Sequence, residues 1–257
     1  MKISKIILYD EPSVSKLDLK NIQKFIRETF GINSEIRENI FKKLNEKKQQ
    51  KIEDCIVLDL KKPFQKQSQL IKDISTDSEN MKISKENEIC IYDGIELNQV
   101  IEEIVPFEEN IEKILHIIFT DKLIGTFDYD DYRYHARVWV GSNPIVISTT
   151  GIIEAPAKPK QYYIDLMTNF SNELEETIRE KYKGEFLEYN DPRLPKIIEG
   201  YLIQSIMYCE TGDVFCNDVK CRLFNAHWQK DLLTSQIKNP SLCEQHTKIL
   251  TKMKNSV

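Results

Sequence analysis

No stretch of this chain is apolar for long enough to cross a bilayer. Runs such as Ile117 to Phe119 fall far short of the ~20 residues that a spanning helix needs. Near the start, Ile6-Ile7-Leu8 is cut off by Asp10 and Glu11, so no signal peptide is read there. These absences set the expectation of a cytoplasmic protein without a membrane partner. An excess of positive charge is also missing: 36 Lys and Arg stand against 41 Asp and Glu, with the signs interleaved. A nucleic-acid partner is therefore not expected. There are no internal repeats, and the acidic cluster Asp128-Asp130-Asp131 lacks the oxygen spacing and closing glutamate of a calcium loop.

What remains is a globular composition, 40% hydrophobic and 30% charged over 257 residues. That is enough chain for one large domain or two small ones around a sizeable core. Residues 5–9 read as a strand, and Leu19, Ile22, Phe25 and Ile26 recur at helical spacing before Gly31, a C-cap residue. Residues 32–37 fit a strand or the start of a helix, and residues 55–60 read as a further strand. A polar, aperiodic stretch over residues 61–88 reads as a long mobile loop. Residues 89–92 then read as a strand ending at Asp93-Gly94, and residues 97–105 as a short helix. The richest β signal lies at residues 114–120, 134–140 and 145–149. Pro156 and Pro159 precede a long amphipathic helix over residues 161–181, and a second helix runs from Leu194 towards Cys209. The expected class is α+β, a mixed sheet with packed helices. Residues 1–208 are expected to form the main domain, and residues 209–257 a small Cys/His-rich subdomain.

Six cysteines in a chain without a secretory signal point to metal ligation or reactive thiols rather than a disulfide framework. Four of them fall between Cys209 and Cys243. The spacing is Cys216-x4-Cys221, then 21 residues, then Cys243-x2-His246. Two close pairs on separate turns are how a tetrahedral zinc is commonly held, so Cys216, Cys221, Cys243 and His246 are the expected ligands of one structural zinc. Cys55 and Cys90 sit in apolar strand contexts and read as inert core thiols. His116 reads as a packed sheet residue and His135 as a partly exposed strand residue.

The segment Cys216-Asn217-Asp218-Val219-Lys220-Cys221-Arg222-Leu223, followed by Cys243-Glu244-Gln245-His246, resembles the archaemetzincins, a branch of the metzincin zinc peptidases. Their pattern is His-Glu-x-x-His-x-x-Gly-x-x-His-Cys-x4-Cys-x-Met, then a spacer and Cys-x2-Cys. Here Leu223 stands at the methionine position and His246 replaces the last cysteine. Residues 117–153 are more faintly similar to the same family's strands. The resemblance implies a metzincin-like arrangement of sheet and helices. It also implies that the peptidase centre is degenerate. The three histidine positions fall on Ser205, Cys209 and Phe215, the glutamate position falls on Ile206, and only Gly212 survives. Ser and Phe are not normal zinc ligands, and Ile cannot take a proton.

Two functions follow from that reading. The first is a zinc-binding metallopeptidase homologue that binds a peptide or protein partner without cleaving it. The second is an active peptidase or other hydrolase. It would use a shifted register, Cys209-Glu210-Thr211-Gly212-Asp213, with Glu210 as base and Cys209, Asp213, His135 or His227 as metal ligands. That register puts Gly212 inside a helix, where glycine costs about 1 kcal/mol against alanine.

Overall fold

The computed structural model describes residues 2–63, 90–141, 143–168 and 172–255. Strand β1 (Lys5–Tyr9) leads to helix α1 (Leu19–Phe30), then β2 (Asn33–Arg37) and α2 (Glu46–Glu53). After the undescribed 64–89 come β3 (Ile91–Asp93), α3 (Gly94–Glu102), β4 (Ile114–Thr120), β5 (Leu123–Asp128), β6 (Arg133–Arg137), β7 (Trp139–Val140) and β8 (Ile145–Ser148). The remaining helices are α4 (Thr149–Glu154), α5 (Lys160–Thr168), α6 (Asn172–Lys181), α7 (Leu194–Thr211), α8 (Gln229–Leu233) and α9 (Glu244–Lys254). A π-helical turn, Thr234–Lys238, follows α8 directly.

The central sheet has the order β2-β1-β4-β8-β7. Its first four strands are parallel, and β7 closes one edge antiparallel to β8. A second sheet, β3-β5-β6, pairs β3 parallel and β6 antiparallel to β5. This is the expected mixed sheet with packed helices.

Both faces of the central sheet are buried, because strand side chains alternate with a period of two. Ile6, Leu8, Leu115, Ile117, Phe119, Ile145 and Ile147 point into one core with residues of α1, α7 and α9. Ile7, Tyr9, Ile118 and Val146 point into a second core with residues of α2 and α3. Leu223, Leu232 and Met253, all beyond residue 209, belong to the first of these cores.

Helix α1 follows its sequence signals. The Asp18 carboxylate accepts the N–H groups of Lys20 and Asn21, and Leu19, Ile22, Ile26 and Phe30 form the buried stripe. Gly31 at φ 76° donates its N–H to the Arg27 carbonyl. Residues 33–37 resolve as strand.

Other expectations change. Residues 55–60 form no strand: one bridge joins Ile56 to Tyr92, and Asp59 then turns the chain by accepting the Lys61 N–H. The proposed loop at residues 61–88 lies outside the described residues from 64 onward. Strand β3 does end at Asp93, as expected, and that residue also caps α3, accepting from Ile95 and Glu96. The stretch 134–140 is two strands in different sheets, β6 and β7. The helix expected over residues 161–181 is two helices, α5 and α6. Cys55 is buried as expected, but Cys90 is exposed.

Candidate metal centre and cleft

The C-terminal stretch starts where α7 ends. Gly212 adopts φ 81° and donates its N–H to the Tyr208 carbonyl, a left-handed helix cap that a side chain would strain. Gly212 is therefore outside the helix, as in the register that aligns Cys216 and Cys221.

Two knuckles follow. In the first, the Cys221 N–H reaches the Asp218 carbonyl at 2.9 Å and the Cys216 N–H reaches the Leu223 carbonyl at 2.9 Å. In the second, Asn239-Pro240-Ser241 turns the chain and Cys243 sits at the N-cap of α9, placing His246 in its first turn. The Arg222 N–H bonds the Ser241 carbonyl at 2.8 Å, and the Asn239 amide bonds the Lys220 carbonyl at 2.9 Å. These two bonds clip the knuckles together.

The ligand atoms of Cys216, Cys221, Cys243 and His246 lie within 4.8 Å of one another, the only such group of three or more His, Cys, Asp or Glu among the described residues. The Cys216 and Cys243 sulfurs are 3.9 Å apart, and His246 Nδ1 is 3.7 Å from the Cys221 sulfur and 3.0 Å from that of Cys243. A tetrahedron with ~2.3 Å zinc–sulfur and ~2.0 Å zinc–nitrogen bonds has edges of about 3.5–3.8 Å. The four residues fit a metal ion of that kind. Burial holds the His246 imidazole below its ordinary value, favouring the neutral form that ligates. Burial also pushes the Cys221 thiol up to about 12. Against that, the Asp218 N–H lies 3.4 Å from the Cys216 sulfur and the Cys243 N–H lies 3.4 Å from that of Cys221, donors that stabilise thiolates.

Behind this site lies a buried polar clasp. The Arg222 guanidinium donates to the Lys196 carbonyl at 2.6 Å and, at 3.2 Å, to Gln236 Oε1. Gln236 donates back to the Arg222 carbonyl at 2.7 Å. Gly200 of α7 faces Gln236 and has no room for a Cβ.

The residues of the shifted register do not gather. The Glu210 carboxylate takes the backbone N–H groups of Lys2 and Ile3, at 3.0 and 2.8 Å. Cys209 packs against the first core, and burial plus the Glu210 charge push its thiol up to about 12. His135 lies on β6, 2.7 Å from Asp131. His116, a packed sheet residue as expected, contacts the Tyr9 hydroxyl at 3.2 Å and the Glu109 carbonyl at 3.1 Å.

A cleft of about 620 Å³ lies between β7 and α7. Tyr201, Gln204 and Tyr208 of α7 line it with Trp139, Phe215 and His227, and among the described residues its wall carries no aspartate or glutamate. Ser205 and Ile206 are wholly buried in the helix's other face. So the helix turns Gln204 and Tyr208 to the cleft, one residue before Ser205 and Cys209, and of the three aligned histidine positions only Phe215 lines it. The Trp139 indole N–H donates to Gln204 Oε1 at 3.3 Å, and Gln204 Nε2 donates to the Val214 carbonyl at 3.0 Å. Sequence reasoning missed Gln204, although the spacing of Tyr201, Gln204 and Tyr208 on one helix stripe marks it. Among the described residues, no helix is long and apolar enough to cross a membrane.

Two solved structures align with nearly the whole chain. One is archaemetzincin from Methanopyrus kandleri, with 11% identity over 99% of this chain and 97% of that one, and a TM-score of 0.41. The other is a zinc-dependent peptidase from Methanocorpusculum labreanum, with 7% identity over 96% of this chain and 99% of that one, and a TM-score of 0.37. A search of curated proteins finds no match. The model of a probable metallopeptidase family, DUF6775, matches residues 2–253, and the chain belongs to that family.

Proposed function

We propose that this metallopeptidase-family protein holds one structural zinc through Cys216, Cys221, Cys243 and His246, and binds a peptide or protein partner in the cleft without cleaving it. Zinc there would cross-link the two knuckles and fix the stretch after Gly212 against α7. With every one of its four positions taken by a side chain, it would have none left for a reactive water.

The observation that carries the reading is the cleft wall. Metal-assisted peptide hydrolysis needs ligands that leave one position open and a carboxylate that takes the proton of the polarised water. The α7 face offers Tyr201, Gln204 and Tyr208, and the carboxamide of Gln204 is already engaged on both ends by Trp139 and Val214. An edge strand beside an aromatic hollow is a surface that suits an extended peptide. Among the described residues, strand β7 is such an edge.

The enzyme reading draws its support from His227, which is exposed at the cleft. It requires Cys209 and Glu210 to leave the core and the N-terminal backbone that hold them. The test is to assay zinc-loaded protein on a broad peptide library beside its Glu210→Gln variant. No cleavage by either is expected. Cleavage by the wild type that Glu210→Gln abolishes overturns the proposal.

A further inference from the structure

Arg137 ends β6 and Trp139 begins β7, with a bend at Val138 between them. Both line the cleft. The Arg137 Nε–H donates to Thr126 Oγ1 at 2.8 Å, which fixes the plane of the guanidinium through the neighbouring strand β5. The two Nη ends remain, and no carboxylate among the described residues lies within ion-pair distance of them. In the adjoining hairpin, Asp131 pairs with Arg133 and His135, while Asp128 accepts the Asp130 N–H at 2.9 Å and feels the Arg137 charge without closing an ion pair on it.

A half-buried guanidinium with no anion in direct contact is only partly compensated, and its planar fork is shaped for a carboxylate. Among the described residues, no other lysine or arginine lines the cleft.

We infer that the cleft selects peptides bearing a carboxylate, which Arg137, positioned by Thr126, binds with its free fork. This inference rests on the peptide-binding reading above. The carboxylate has two sources, an aspartate or glutamate side chain or the free C-terminus of the peptide.

The experiment uses fluorescent hexapeptide pools and the full chain, read by anisotropy. One pool fixes glutamate at each position in turn and is C-terminally amidated. A second fixes glutamine and is amidated, and a third fixes glutamine and ends in a free acid. At least one anionic pool should bind ten-fold or more tighter than the neutral pool, and which one does so identifies the source. Arg137→Gln should remove that preference, with its fold checked by thermal melting, while Arg137→Lys should keep only part of it, because a point charge cannot make the paired bonds. Equal binding of all three pools, or a preference that survives Arg137→Gln, overturns the inference and leaves peptide binding standing. No binding of any pool overturns both.

Discussion

The Trp139 indole joins the edge of the central sheet to the helix beneath it: its N–H meets Gln204 Oε1 at 3.3 Å and its ring lies 5.5 Å from that of Tyr208. One carboxamide thus ties β7, α7 and, through the Val214 carbonyl, the segment after Gly212. Gln204→Ala is expected to leave the indole N–H and the Val214 carbonyl without these partners. A buried hydrogen-bonding group left unsatisfied costs about 1–3 kcal/mol. Urea unfolding should show a loss of that order, whereas a loss below about 0.5 kcal/mol would mean water replaces the carboxamide and the clasp is incidental.

Gly200→Ala sets two effects against each other. Helix propensity alone favours alanine by about 0.8–1 kcal/mol in mid-helix. The new Cβ would collide with the Gln236 carboxamide, and such overpacking costs about 1–3 kcal/mol. Net destabilisation is expected, and it should shrink or reverse in a Gln236→Ala background, as read by a double-mutant cycle. A stabilised single variant would show that Gln236 moves away freely.

Cys221→Ser is expected to loosen the chain beyond Gly212, because binding energy in a small metal site is folding energy. The variant should be cut by protease after about residue 212 at concentrations that leave the wild type intact. Because Leu223, Leu232 and Met253 also belong to the main core, the global melting temperature should fall as well. A variant as resistant and as heat-stable as the wild type would contradict the ligand assignment.

Burial holds His116 below its ordinary value of 6.5, and its ring is fixed by Tyr9 and the Glu109 carbonyl. The unfolded chain therefore takes up this proton at a higher pH than the native one. The resulting stability is fully present above about pH 6.5 and declines as pH falls towards the native value, by at most ~1.4 kcal/mol per pH unit for one group. Unfolding measured at pH 8 and at pH 5.5 should show a larger drop for the wild type than for His116→Asn. Equal drops would mean that His116 protonates without penalty in the native state.

The sequence was legible where one period dominates. Helix α1 carries its cap, its stripe and its terminal glycine in order, and the Cys/His pairs announce themselves because few other arrangements explain two close pairs in one short segment. Strand β5 was missed because only Asp121 and Lys122 separate it from β4, and because Gly125 reads as a break. In the fold, Gly125 is what lets the strand approach its partner, since a Cβ there would stand 2.9 Å from the His135 carbonyl oxygen. The cleft was hidden for another reason. Helix α7 is apolar over most of its circumference, so periodicity does not say which stripe meets the sheet. The family motif aligned Ser205 and Cys209 with positions that Gln204 and Tyr208 occupy on the cleft side. Arg222 and Gln236 are fourteen residues apart and meet only through the knuckle between them.

On the proposed function, the metal belongs to the C-terminal knuckles and the cleft holds none. Native mass spectrometry of the zinc-loaded full chain, beside its Cys221→Ser variant, counts the ions directly. One zinc per wild-type chain and none in the variant is expected. Two zincs in the wild type, or one retained in the variant, would place a metal elsewhere and contradict that function.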